Sequence, residues 1–462
     1  MNSFAFLKRG LVSGAALTLA VVAVVGASLP VQAASATDWP MYQGDAGRTG
    51  FNGAATAISQ ATVGGLRPMW TLNVGGSISG EPLVANNTLY WGAWDGYLRA
   101  ATTSGRLLWQ TYVGKTTGAK CYPTNAGVAS TPAYTTIGAT PALVVGGGDG
   151  AVYAVNASTG HILWRTVPES DAGLFLWSSP IVDNGNVYIG LASFGDCPLV
   201  RGGVTELSAQ DGSIENTYLT VPDGCLGASV WGSPALDTNS GTLYVVTGNS
   251  GSCSTDEPYQ DAILALSASD LSLQDSWQLP ANEQLVDADF GATPTLFTAN
   301  GTNMIGVASK NGWYYALNRD MLSMGPVWQQ RVADVGGDCV LCGEGSISSS
   351  AWDGAHLFVG GGKATIVGKQ CGGNLTGLNP ATGAYLWRMC LPSPVAGAIA
   401  AVPGLVMVAQ SNNLMVLKVG NGENIKQLYD TRSGTMYLSG ASVVGGRIYI
   451  GNMNGDLNAY GL

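Results

Sequence analysis

In the stretch GVASKNGWYYALNRD, Gly306 to Asp320, a single lysine, Lys310, stands between an apolar run and a glycine turn. Only 11% of the residues are charged, against about 25% in ordinary soluble domains. A cation there has two readings: a solvated turn residue, or an ammonium that reaches into a site and touches a ligand. Other reactive types are scarce. His161 and His356 are the only histidines, and each falls on an expected strand, where a solvated or packed ring is the plain reading. Two histidines exclude a three-histidine zinc site and lend little support to serine–histidine–aspartate chemistry. CVLC at 339–342 has metal-like spacing, but no second pair accompanies it and no histidine follows, as covalent haem attachment needs; a disulfide or loop staple is expected. GGGDG at 146–150 lies between two short strands and opens no helix, which removes the dinucleotide reading. DNGNVYIG and GNMNGDLNAYG have the composition of calcium loops, and hairpin turns explain the same Asn, Asp and Gly content.

The elements that must position these residues are short strands. The 462 residues include 66 glycines, 20 prolines, 13 tryptophans and 18 tyrosines, and no long helical periodicity follows the N-terminus, a pattern of many strands joined by turns. The opening MNSFAFLKRGLVSGAALTLAVVAVVGASLPVQAASAT places Lys8 and Arg9 before an apolar run and small residues ending at Ala33 or Ala36. It reads as a secretory signal peptide over residues 1–36, leaving a secreted, periplasmic or cell-surface chain. The alternative is an uncleaved anchor, since Leu11 to Leu29 is nearly long enough to span a membrane. Without Lys8 and Arg9 the chain is more negative than the −10 of the full sequence, and such a surface repels phosphate backbones, so nucleic acid is not an expected partner. All eight cysteines lie in the exported part, where disulfides are the expectation.

A repeat organises the strands. LYWGAWDGYLRAATTSGRLLWQTYVG (89–114), LVVGGGDGAVYAVNASTGHILWRTVPE (143–169) and LFVGGGKATIVGKQCGGNLTGLNPATGAYLWRMCLP (357–392) share an apolar strand, a glycine turn and a second strand. TG or SG then leads into a strand bearing Trp109, Trp164 or Trp387. Weaker copies, around Tyr188 and Leu428 and ending at Trp277 and Trp328, bring the complete units to seven. ASVVGGRIYIGNMNGDLNAYGL is an eighth, lacking a tryptophan strand that LRPMWTLNVGG with Trp70 supplies from the other end. A four-stranded sheet cannot bury both faces alone, and a ring of sheets closes only when first and last are tied. The expected fold is therefore all-β: one eight-bladed β-propeller with four-stranded blades over residues 37–462, closed by an N-terminal strand completing the last blade. The tryptophans should dock against neighbouring blades rather than form a cofactor box.

AVNASTGHILW resembles the tryptophan-docking repeat of the pyrroloquinoline quinone (PQQ) propellers, and DWPMYQGDAGRTGFN (38–52) is similar to their lead-in. Within that superfamily four motifs resemble those of the quinoprotein alcohol dehydrogenases, including the polyvinyl-alcohol dehydrogenase type. By that resemblance, Trp231 in ASVWGSPALD matches the aromatic stacked under the quinone, and Asn249 in TGNSG an amide-oxygen ligand of the metal. Asp289 in DADFGATPTLF matches the carboxylate that serves as metal ligand or general base, and Lys310 the cation on the quinone oxygens. The chemistry suits the types: a hard Ca²⁺ takes oxygen ligands, acts with an ammonium on a carbonyl, and a carboxylate removes the alcohol proton. Three departures stand beside this. Where the family has a glutamate before RG, SFGDCPLVRGG offers Asp196, shorter and displaced by one place. The adjacent cysteine pair is absent, with Cys121 alone in the corresponding loop. Gly291 stands two places after Asp289, which favours calcium over a lanthanide. The resemblance thus implies an exported PQQ- and Ca²⁺-dependent dehydrogenase of an alcohol or hydroxylated polymer, passing electrons to a separate acceptor such as a cytochrome. A cofactor-free propeller presenting loops to a protein or glycan at the cell envelope is the alternative.

Overall fold

The computed structural model of the chain describes residues 35, 37–117, 123–195, 198–249, 251, 257–285, 287–336, 339–430 and 436–462. The expected signal segment therefore lies outside the described residues except for Ser35, as do Cys121, Asp196, Cys197 and Cys253. Eight antiparallel sheets follow one another along the chain. Blades 1 to 7 occupy 83–112, 133–166, 174–219, 235–278, 295–331, 351–391 and 400–429. Blade 8 takes three strands from 442–461, and its outer strand is Arg67–Asn73, paired antiparallel with Asp456–Gly461. The ring is closed as expected, by the N-terminal strand.

Inner strands are buried on both faces, because each blade is sandwiched between two others; Leu405–Gln410 is a continuous buried run without alternation. Outer strands such as Leu107–Tyr112 are half exposed. The apolar core is accordingly a set of layers between blades: one joins Leu98 and Val113 of blade 1 to Leu143 and Val155 of blade 2, another Val406 and Met415 of blade 7 to Phe358 and Leu375 of blade 6. Tryptophans lock these layers. The indole N–H groups of Trp70, Trp109, Trp164, Trp328 and Trp387 donate to the backbone carbonyls of Thr103, Ala157, Ala209, Pro380 and Val419, at 2.7–3.1 Å. Each ring lies on a glycine with positive φ, and a Cβ on Gly160 or Gly422 would meet the ring of Trp109 or Trp387 at 2.9 or 2.4 Å. That contact explains the glycine of the TG and SG turns.

Two devices line the axis. A hydroxyl belt runs from blade to blade just ahead of each first strand: Glu81 N donates to Thr131 Oγ1 at 2.7 Å, Thr131 N to Ser179 Oγ at 2.9 Å, and Ser179 N to Ser233 Oγ at 2.9 Å. Ser233 N then donates to Thr293 Oγ1 at 2.9 Å, and Thr293 N to Ser349 Oγ at 3.1 Å. Glu81, Thr131, Ser179, Ser233 and Thr293 all precede proline, which holds them extended. Beyond the belt, the lead-in segment follows the ring along its inner strands from blade 1 to blade 8 and so forms a plug. Carbonyls of Pro40, Ala46, Gly47, Thr49 and Gly50 accept N–H groups from Tyr134, Leu236, Leu296, Trp352 and Ala401, and Trp39 bridges Val84. The fully buried Arg48 donates to Pro234 O at 2.8 Å, Tyr42 O at 2.6 Å, and Ser179 O and Pro180 O at 3.2 Å.

Some local expectations change. Both histidines precede strands rather than sit within them: His161 is exposed ahead of Ile162–Thr166, and His356 pairs with Asp353 at 3.1 Å in the turn ahead of Leu357–Gly361. The third strong repeat contains an extra hairpin, Ala364–Ile366 with Lys369–Cys371, inside what reads as a glycine turn. CVLC is a disulfide, Cys339 to Cys342; Cys371 is bonded to Cys390, Cys225 is also disulfide-bonded, and no described cysteine is free.

Candidate active site

The site lies on the side of the belt opposite the plug: Trp177, Trp231 and Asp289 come just before the belt hydroxyls Ser179, Ser233 and Thr293, and Asn249 and Lys310 follow the antiparallel second strands, which return to the same end. Trp231 stands two residues ahead of Ser233, and Trp177 two ahead of Ser179. Both line a cavity of about 260 Å³ with Ser193, Phe194, Leu199, Ser229, Gly248, Asn249, Asp289 and Lys310, from blades 3 to 5. Four of the five expected residues, Trp231, Asn249, Asp289 and Lys310, therefore meet at one cavity. Asp196 lies outside the described residues.

Asp289 is the centre of the group. Its Oδ2 accepts Lys310 Nζ at 2.9 Å and Trp231 Nε1 at 3.2 Å, and its Oδ1 accepts the backbone N–H of Asn249 at 2.8 Å. Lys310 also donates to Asp287 Oδ1 at 2.7 Å, and its Nζ lies 5.2 Å from the centroid of the Trp231 ring. Burial would lower the Lys310 pKa, but Asp289 and Asp287 outweigh it and hold the ammonium above its usual range. Three glycines make this packing possible. A Cβ on Gly291 would stand 2.1 Å from Trp231 Cη2, one on Gly248 2.9 Å from Asp289 Oδ1, and one on Gly345 1.9 Å from the Lys310 carbonyl.

Sequence reasoning missed several neighbours. Asp287 stands two places before Asp289 in DADFG, visible in the same motif. Trp177 is legible once LWSSP is set against VWGSP, one blade apart. Its ring lies 5.9 Å from Phe194 and 6.2 Å from Trp94, building an aromatic wall. Asp261 carries no motif. It is buried, takes a positive φ of 45° and leaves Oδ1 without a hydrogen bond. Burial first, then the charges of Asp289 and Asp287, push it up to about 7 against the pull of Lys310.

The group carries more carboxyls than cations, with Asp261, Asp287 and Asp289 facing one ammonium. Carboxylate and amide oxygens beside an acidic excess suit a hard divalent cation, and a flat indole beside a cavity of this size suits a planar ring. The cavity and its indole suit a flat quinone, whereas Asp289 and Asn249 alone make a partial oxygen set for Ca²⁺: among the described residues no three histidine, cysteine, aspartate or glutamate side chains are grouped to hold a metal ion.

The closed ring and the tryptophan-docking turns define an eight-bladed propeller, its repeats are similar to the PQQ-like type, and the chain resembles the quinoprotein alcohol dehydrogenases. Residues 310–461 match the family of outer membrane protein assembly factor BamB. Over 372 residues the chain is 26% identical to a quinohemoprotein alcohol dehydrogenase of Comamonas testosteroni, with 69% of this chain and 50% of that protein covered. Over 318 residues it is 24% identical to a polyvinylalcohol dehydrogenase of a Pseudomonas species, covering 60% and 48%. The chain spans about half the length of these relatives. The crystal structure of the Comamonas enzyme superposes with a TM-score of 0.75 at 18% identity, covering 92% of this chain and 80% of that one, which shows the fold.

Proposed function

We propose that the protein is an exported PQQ- and Ca²⁺-dependent dehydrogenase that oxidises an alcohol or a hydroxylated polymer and passes electrons to a separate acceptor such as a cytochrome. The observation that carries this reading is Asp289, a carboxylate fixed by three N–H donors on a cavity that also holds an aromatic face and one ammonium. Trp231 would lie against the quinone ring, Asn249 and Asp289 would hold Ca²⁺ with Asp196 as third ligand, and Lys310 would face the quinone oxygens. When bound, PQQ supplies a two-electron acceptor and Ca²⁺ a Lewis acid.

The chain's own residues handle the proton and the position of the substrate. Asp289 Oδ2 is shared by Lys310 and Trp231, whereas Oδ1 accepts one backbone N–H. Oδ1 is thus the atom with capacity left to take the hydroxyl proton. Lys310 keeps its charge in the buried site and directs negative charge toward its end of the cavity. Trp177 and Phe194 close the other side with ring faces, since the Trp177 N–H is bound to Ser193 O at 3.2 Å, and so restrict water.

The test is to titrate the chain with PQQ and Ca²⁺, measure binding, and then follow dye reduction with a panel of alcohols, aldoses and polyvinyl alcohol. Binding with turnover on at least one alcohol is the expected result; no quinone binding at micromolar concentration overturns the reading. A second reading, a cofactor-free scaffold at the cell envelope, draws on the BamB match and predicts an intact fold that takes up no quinone.

A further inference from the structure

The disulfide of CVLC plays no part in the chemistry assigned to the Asp289 cavity, yet the chain that follows it is the backrest of Lys310. On one side the Lys310 N–H donates to Asp289 O at 3.0 Å. On the other the Lys310 carbonyl faces Gly345, where a Cβ would stand 1.9 Å away. Ser346 N donates to Ser309 O, and Gly345 N to Asp334 O, each at 3.3 Å. Gly343 and Gly345 turn the chain into this position with φ of 98° and 60°, a region that glycine enters freely. The backbone from which the ammonium reaches Asp287, Asp289 and Trp231 is therefore held between Asp289 and residues 343–346.

Residues 339–346 belong to no strand. The three-residue turn Val340–Cys342 has no side-chain cap. Glu344 ties it to Cys339, donating its N–H to Cys339 O and accepting Cys339 N at Oε2, both at 3.2 Å. The bridge fixes Cys342 to the same residue, so Cys339 anchors the whole turn. Two differences separate this bridge from Cys371–Cys390. Its sequence separation is 3 against 19, so it restrains the unfolded chain less and acts mainly on local conformation. Cys342 is also exposed, whereas Cys371 is buried and Cys390 half-buried, and thiol–disulfide exchange needs access to a sulfur.

We propose that the Cys339–Cys342 bridge is a redox-responsive positioning element for Lys310: closed, it holds Gly343–Ser346 against the lysine backbone, and opened by a dithiol it releases that backrest. A thiolate of the dithiol attacks Cys342 Sγ, and Cys339 leaves as a thiolate and takes up a proton. The second thiol of the reagent then displaces Cys342, so the reagent becomes a disulfide while two electrons and two protons pass to the chain. The ammonium is displaced in this way whether or not the cavity takes a quinone. The test is nuclear magnetic resonance of the ligand-free full chain, isotope-labelled at lysine Cε, before and after millimolar dithiothreitol. The Lys310 signal, identified by its loss in Lys310→Arg, is expected apart from those of exposed lysines because the ammonium lies over the Trp231 ring. Reduction should free thiols at Cys339 and Cys342, mapped by alkylation and mass spectrometry, before Cys371–Cys390 opens. It should also move the Lys310 signal toward the exposed-lysine position, and reoxidation should move it back. The double variant Cys339→Ser/Cys342→Ser should show the moved position without reductant while keeping a cooperative melt. Three results overturn the proposal: a Lys310 signal that stays in place once both thiols are free, or a bridge that dithiothreitol leaves closed or opens only after Cys371–Cys390. The third is loss of the folded spectrum in the double variant, which would make the bridge a fastener of the ring.

Discussion

The two ends of the propeller axis bury charge in opposite ways. At the plug end Arg48 is fully buried and its guanidinium is consumed by backbone carbonyls from the lead-in and from blades 3 and 4. Glu81, also buried, accepts Gln43 N at 2.7 Å, Trp39 Nε1 at 3.1 Å and Gln43 Nε2 at 3.2 Å. At the site end Lys310 is divided between two aspartates beside a cavity, and Asp261 leaves an oxygen without a donor. Burial pushes both Glu81 and Asp261 up to about 7. The difference lies in satisfaction: the charged groups of the plug, Arg48 and Glu81, are met by fixed acceptors and donors, whereas at the site Asp261 keeps a buried oxygen without a hydrogen bond close to Asp289 and Asp287.

The largest expected effect separates chemistry from fastening. Asp289→Asn should lower dye-coupled turnover by about 10²- to 10⁴-fold, the range of a lost general base, with the melting temperature retained; an unchanged rate removes Asp289 from the mechanism. Arg48→Met should do the reverse, costing about 3–5 kcal/mol of stability by leaving carbonyls unpaired in the plug, read as a drop in the denaturation midpoint. Acid–base behaviour sharpens the contrast. Because the folded pKa of Glu81 is raised from 4.5 to about 7, the folded state holds a proton that the unfolded chain releases between those values. The corresponding stability is present below pH 4.5 and is lost as pH rises through 7, on the order of 3 kcal/mol. Glu81→Gln should flatten most of that slope in unfolding curves collected at successive pH values, and Asp261→Asn should remove a further part. The smallest effect, about 1–3 kcal/mol, is expected for Gly291→Ala, whose methyl would displace Trp231; a change in tryptophan fluorescence would report it.

Most of the architecture was legible because the repeat carries its own physics. The TG turns, the docking tryptophans and the displaced strand at Trp70 are local signals that the ring simply adds up. The extra hairpin at 364–371 was hidden inside glycine-rich sequence, where a turn and a short ribbon have the same composition. For the site, resemblance brought Trp231, Asn249, Asp289 and Lys310 to one cavity, although the contact Asn249 makes with Asp289 runs through its backbone N–H rather than its amide. Asp261 was illegible for a physical reason: only the curvature of the ring brings the start of a buried strand in blade 4 under the charges of Asp287 and Asp289. The hydroxyl belt is written in the sequence as Ser-Pro and Thr-Pro, yet its meaning needs neighbouring blades side by side.

The strand Arg67–Asn73 completes the blade whose other members end at Gly461. That arrangement sets an order of events during synthesis, since the earliest strand has no partner until the last has been made. Contacts so distant along the chain form slowly, and until then the nascent ring presents two open strand edges, the sites at which unfinished sheets join one another. A chain stopped short of Asp456 would therefore be a sticky arc with two unpaired ends, not a slightly smaller propeller.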